Sequence, residues 1–185
     1  MKISSIETLH PFYIPFFIIN IAEWGRKKKS LMSLVQWHDP RFLKDGCFTD
    51  YHHNVKNGCH YKIQFETILS EELQIFSEHI NFSIFVKDIW AQRYLNQEFM
   101  DPHRHGSIGF SAVLYADFDE QEHKSTNFIA PFNNFVDDTT LYFSPDVSEG
   151  MILLFPSMMT HYANPNLSTK PRTIFSMNIN TRKKG

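Results

Sequence analysis

"DPHRHGSIGFSAVLY", residues 101–115, sets His103 and His105 two positions apart just ahead of an apolar run. On an extended chain, side chains at i and i+2 leave the same face, roughly 7 Å apart along the strand. Two imidazoles aimed at one point are two arms of a metal site, and imidazole suits iron, zinc, copper and nickel. Alone the pair decides little, because H-x-H on a strand face is also ordinary polar surface.

The stretch gains meaning from its surroundings. From residue 84 onward the apolar period is two: 84–95, 110–118, 150–155 and 171–180 all read as strands. Between them, 119–148 is a long polar segment with short β-like pieces. Ahead of them the period is helical. Residues 23–37 place Trp24, Leu31, Leu34 and Val35 on one face, and 68–82 reads as a helix capped by Ser70 with acidic residues in its first turn. Residues 10–24 read as an N-terminal strand, and 38–60 as turn-rich, punctuated by "KDG" and "KNG". Helices first and strands afterwards predict an α+β, mainly β fold. A jelly roll, the double-stranded β-helix, takes at least six such strands, with the N-terminal helices packed on one sheet. One domain over 1–185 is expected, with a helical and strand part at 1–83 and the jelly-roll core at 84–180.

Composition narrows the function classes. Eighteen Phe among 185 residues favour a sheet-rich core. Net charge is −2, and Lys/Arg cluster only at Arg26–Lys29 and Arg182–Lys184, read as a solvated helix start and a frayed tail. Nucleic acid is therefore not indicated as a partner. Cys47 and Cys59, near His52, His53 and His60, lack the paired spacing of a structural zinc site and read as free thiols. The apolar run within 10–24 carries Pro11 and Pro15, is too short to span a bilayer and lacks a signal-peptide cleavage pattern. The expectation is a cytoplasmic protein without a membrane segment.

The second half changes the weight of the histidine pair. "EGMILLFPSMMTHYANPNLSTKPRTIFSMNIN", 149–180, holds an apolar strand, a Phe-Pro turn, His161, and Arg172 eleven residues later. A non-haem iron centre needs ligands from two chain segments, with positions left open for co-substrate and O2. A 2-oxo acid that chelates the metal at one end needs its far carboxylate held at the other. Arginine does this best, its fork matching a carboxylate with two parallel hydrogen bonds.

With "WAQRYLNQEFMDPHRHGSIGFSAVLY" at 90–115 beside that second stretch, the chain resembles the small 2-oxoglutarate/Fe(II)-dependent dioxygenases of phages and marine bacteria. The resemblance implies a double-stranded β-helix core, Fe(II), and 2-oxoglutarate with O2 as co-substrates. Decarboxylation to succinate and CO2 would then be coupled to hydroxylation of an aliphatic C–H. It also implies that His103 is the first ligand, His161 the distal one, and Arg172 the partner of the 2-oxoglutarate carboxylate. A tyrosine near position 94 helps bind 2-oxoglutarate in similar enzymes; Tyr94 reads equally as a core aromatic.

One position departs from the common pattern. The usual H-x-D places a carboxylate where this chain has His105. Three occupants compete for the third position, in this order: His105 itself, water, or the carboxylate of Asp101. Alternation puts Ser176 and Asn178 on the face of Arg172, either lining the same pocket or satisfying each other. His123 reads as solvent-exposed, and His52, His53 and His60 as loop histidines that could cover a pocket mouth. A cupin-type dioxygenase ranks second: Gly150, Pro156, His161 and Asn164 imitate its second motif, but no Glu follows H-x-H and Arg172 has no role. A non-catalytic metal-binding β-sandwich ranks third. The prime substrate is unreadable: a protein side chain, a small molecule and a nucleobase all stand open, with specificity expected in 38–60 and 119–148. The Phe/Asn/Ile/Lys bias also fits an AT-rich genome such as a phage's, which would place the protein in a host cytoplasm.

Overall fold

The structure, a computed structural model, describes residues 13–39 and 41–184; the part of the expected first strand at 10–12 lies outside them. Among the described residues the elements in chain order are β1 Phe17–Asn20, α1 Trp24–Ser33, β2 Leu43–Asp45, β3 Cys47–Thr49, α2 Tyr51–Asn57, α3 Lys62–Ile68 and α4 Ser70–His79. There follow β4 Phe82–Tyr94, β5 Met100–His103, β6 Phe110–Asp117, β7 Thr126–Asn133, β8 Thr140–Phe143, β9 Met151–Pro156, β10 Thr160–Ala163 and β11 Arg172–Lys183.

The strands form two sheets, a large one ordered β1-β9-β6-β11-β4-β3-β2 and a small one ordered β5-β10-β7-β8, with antiparallel pairing throughout. This is the expected double-stranded β-helix. Strand alternation sorts the large sheet's side chains into two cores. Ile152, Leu154, Ala112, Leu114, Phe175 and Met177 face the helices, meeting Leu31, Phe65, Leu69 and Phe76. Leu153, Phe155, Val113, Tyr115 and Ile174 face the small sheet, with Phe128 opposite. Each large apolar side chain so buried contributes about 1.5–3 kcal/mol.

The four period-two segments became β4, β6, β9 and β11, with ends moved by a few residues. Elsewhere the structure corrects the expectations. Residues 38–60 hold a helix, α2, which has no apolar stripe. It is held by Asn54, which donates from Nδ2 to Ile89 O at 3.1 Å and sits 3.4 Å from the Tyr61 hydroxyl. Ser70 does not cap α4: α3 runs to Ile68, and the cap position falls on Leu69, whose N–H bonds Phe65 O. Arg26–Lys29 is not wholly solvated, because Lys27 is buried against Glu72. Nor is the C-terminal basic cluster simply frayed: Arg182 and Lys183 extend β11 against Ser83 and Phe82. No helix among the described residues is long and apolar enough to cross a membrane.

Candidate metal centre

β5 and β10 pair so that His103 stands directly opposite His161. His105 arrives differently from the expected strand alternation. β5 ends at His103, and His105 lies in the following loop, its N–H bonded to Ser157 O at 3.1 Å. The loop closes at Gly109, whose φ of +78° and approach to Ile179 O (a Cβ would lie 2.4 Å from it) exclude any side chain. The His105 ring stacks on Trp90 of β4, with centroids 5.2 Å apart and planes at 21°.

The three imidazoles converge. One ring nitrogen from each lies within 4.8 Å of the others, and His105 Nε2 stands 3.2 Å from His161 Nε2. Two nitrogens bound at right angles about 2.1 Å from one ion would lie about 3.0 Å apart. The outer nitrogens of two rings are anchored: His161 Nδ1 to Met159 O at 2.9 Å, and His103 Nδ1 to Asp101 O at 2.7 Å. A carbonyl only accepts, so each Nδ1 carries the proton and each Nε2 presents a lone pair to the common point. Asp101 thus serves the cluster through its backbone; its side chain is exposed, outside the histidine group. The donor set fits a borderline metal ion such as Fe(II).

Burial, and secondarily the neighbouring His103, pushes His105 down to about 4 and His161 down to about 3. Both are therefore neutral at pH 7, as ligands must be. Because the unfolded chain takes up protons on these rings below about 6.5 while the fold does not, their contribution is complete above that pH and is lost as pH falls toward 4 and 3. Each ring costs the metal-free protein up to about 1.4 kcal/mol per pH unit over that range, several kcal/mol for the two together. Urea melts measure it, and His161→Ala should flatten the slope.

Behind the histidines a cavity runs between the sheets, lined by Trp90, Gln92, Tyr94, Thr126, Ile174 and Ser176 among others. Beyond its wall lies Arg172, 3% exposed, its guanidinium 4.4 Å from the Tyr94 ring. It donates to Lys124 O at 2.8 Å and Asn164 O at 3.1 Å and has no carboxylate partner among the described residues. Burial lowers its affinity for the proton, yet a guanidinium keeps its charge. Tyr94 is buried, with burial pushing its phenol well above the ordinary value, so it stays a neutral hydroxyl.

Ser176 and Asn178 do not satisfy each other. Ser176 lines the cavity and donates to Gln92 Oε1 at 3.0 Å. Asn178 sits at the opposite end of the face from Arg172, beside Asp88 and Ser111. Two residues escaped the sequence reading, Gln92 and Trp90. Gln92 accepts from Trp90 Nε1 at 3.1 Å and donates to the Tyr94 hydroxyl at 3.0 Å. The signal was available, since alternation along β4 puts 90, 92 and 94 on one face.

The remaining histidines separate. His123 is buried, not exposed: Nδ1 accepts from Asp119 N at 3.0 Å and Nε2 donates to Lys170 O at 3.1 Å. His52 and His53 lie on α2 rather than in a loop, and His60 Nδ1 meets Arg41 at 2.9 Å. Thr49, Tyr51 and His52, from the 38–60 stretch, join Arg104 around a groove of about 250 Å³ that opens on His103 and His105. Cys47 is buried, burial pushes its thiol up to about 12, and it is not among the residues whose ligand atoms converge.

Residues 88–178 match a protein-family model described as "Putative 2OG-Fe(II) oxygenase", a family whose chemistry uses Fe(II), 2-oxoglutarate and O2. No curated protein sequence matches the chain. Among solved structures, AviO1 from Streptomyces viridochromogenes Tue57 aligns over 89% of each chain, with TM-score 0.64 and 12% identity. The non-heme alpha-ketoglutarate-dependent epimerase SnoN from nogalamycin biosynthesis aligns over 89% of this chain and 76% of its own, with TM-score 0.67 and 11% identity. The viral collagen prolyl hydroxylase of Paramecium Bursaria Chlorella virus-1, solved with 2-oxoglutarate, aligns over 91% of this chain and 96% of its own, with TM-score 0.58 and 12% identity. At such identities the likeness speaks for the fold. The family match covers β4 from Asp88 through β11 to Asn178, and with it every candidate site residue: over this core the chain is similar to the 2OG-Fe(II) oxygenase family.

Proposed function

We propose that the chain hydroxylates an aliphatic C–H with Fe(II) held by His103, His105 and His161, and that it is of the small phage and marine bacterial type its motifs resemble. Iron with 2-oxoglutarate supplies the oxidising chemistry, driven by decarboxylation to succinate and CO2. The protein's part is ligation and orientation. The backbone anchors at Met159 and Asp101 hold two Nε2 lone pairs on the ion. Arg172 takes the far carboxylate, supported by Tyr94; Ser176 stands in the wall between them through Gln92. The cavity spans only about 30 Å³, so entry of a five-carbon diacid requires wall side chains such as Gln92 to move aside.

The observation that carries this reading is Arg172, a buried cation without a carboxylate partner among the described residues, in the same barrel as three converging imidazoles. Burying an unpaired charge costs several kcal/mol and is retained where an anionic ligand completes the pair. Anaerobic addition of Fe(II) and 2-oxoglutarate should give a weak visible metal-to-ligand band. Arg172→Ala should weaken 2-oxoglutarate binding about 10–100-fold, the loss of a charge-assisted hydrogen-bond pair. Absence of the band, or unchanged affinity in the variant, would overturn the assignment.

A further inference from the structure

The groove of about 250 Å³ beside α2 has no part in metal ligation. It shares Trp90, Met100, His103 and His105 with the inner cavity, so both spaces border the same two imidazoles. Tyr51 and Trp90 lie against each other along it, ring centroids 5.0 Å apart at 70°, and Met100 adds an apolar side chain. Arg104, exposed and set between His103 and His105 in the chain, is its cation. Among the described residues around the groove there is no other arginine or lysine, and no aspartate or glutamate.

Arg104 differs from the arginines that the fold employs. Arg26 and Arg41 hold carboxylates, Arg93 lies 3.8 Å from the Trp37 ring, and Arg172 donates to two backbone carbonyls. Arg104 makes no ion pair or side-chain hydrogen bond to a described residue. An H-x-D centre would set a carboxylate next to it; here that position is His105, so nothing within the motif neutralises the guanidinium. Its fork stays available for two parallel hydrogen bonds to a carboxylate.

Size and charge then select the molecule. At roughly 30 Å³ per water, a space of about 250 Å³ takes about eight non-hydrogen atoms. One guanidinium balances a carboxylate, whereas a phosphate near −2 calls for more cation than the groove lines up. We propose that this groove binds the substrate to be hydroxylated, a small aliphatic carboxylic acid whose carboxylate sits on Arg104 and whose chain lies against Met100 and Trp90 toward His103 and His105. This names the substrate class of the oxygenase reading above and rests on it. One atom of O2 becomes the new hydroxyl and the other enters succinate as 2-oxoglutarate loses CO2.

Hexanoate fits that size and is the probe. It is titrated into isotope-labelled protein holding Zn(II) and 2-oxoglutarate, and into the metal-free protein, with NMR shifts as the readout. Signals of Met100, Arg104 and the Trp90 indole should move, with a Kd of about 1 mM. Hexanamide in place of hexanoate, and Arg104→Gln, should each weaken binding about 10–100-fold. Arg104→Lys should recover part of the loss, and Arg172→Ala should leave hexanoate binding to the metal-free protein unchanged. Hexanoate binding that ignores Arg104→Gln, or hexanamide binding as tightly as hexanoate, overturns the assignment. Tighter binding of hexyl phosphate or of a blocked glutamyl peptide overturns the substrate class. If Zn(II) and 2-oxoglutarate bind while hexanoate does not, the groove assignment is wrong and the oxygenase reading stands. If they do not bind, that reading fails, and the metal-free titration still decides whether Arg104 holds a carboxylate.

Discussion

Replacing His161 with alanine is expected to take Fe(II) binding and succinate release to background. His161 is 5% exposed, faces His103 across the β5–β10 pair and stands 3.2 Å from His105, so it is the hinge of the cluster. Loss of an outer-shell partner already costs about 10–100-fold in affinity, and loss of a ligand must exceed that. The remaining two imidazoles cannot share the load, because the ring is boxed by Phe155 at 4.8 Å and Phe128 at 5.9 Å. Among the described residues, no carboxylate or cysteine joins the three histidines in the cluster. Metal titration with a succinate assay checks the prediction; near-wild-type iron affinity in the variant would refute it.

The second large effect lies far from the site. Lys27→Ala should destabilise the protein by about 3–5 kcal/mol, because it leaves the Glu72 carboxylate buried without its partner. Lys27 Nζ lies 2.8 Å from Glu72 Oε1 and 2.9 Å from Oε2, with side chains 5% and 3% exposed. The pair ties α1 to α4 on the outer face of the large sheet. Replacing both partners, Lys27→Met with Glu72→Leu, should restore stability to near or above wild type, since apolar groups of similar volume need no desolvated charge. Urea denaturation of the two variants decides it: a small loss in the single variant would show that water reaches Glu72.

How far the residues announced this arrangement differs from element to element. β4, β6, β9 and β11 were legible because each buries both faces or one face of a pleated strand, which writes a period of two into the chain. α2 was not, because "YHHNVKN" has no apolar stripe and its helix hangs on Asn54 and Asp50, which reaches Ala91 N at 2.8 Å and the Tyr61 hydroxyl at 2.8 Å. β5 and β10 are only four residues each, too short to show a period, and exist through their pairing with each other and with β7. His123 illustrates the same limit. Its polar neighbours suggested solvent, yet it ties the 119–123 turn to Lys170 on another segment.

The order of residues by itself supplied the chemical kinds: imidazoles in two segments, an arginine eleven residues past the second, and an alternation that sends Arg172, Ile174 and Ser176 inward together. Local periodicity and side-chain type are properties of the chain alone, so they survive without a fold. Which nitrogens of His103 and His161 face the common point, and that Asp101 offers a backbone carbonyl rather than its carboxylate, were settled only by packing. The rings themselves meet across 56 residues of chain, and hydrogen-bond direction depends on which partner the fold brings within about 3 Å.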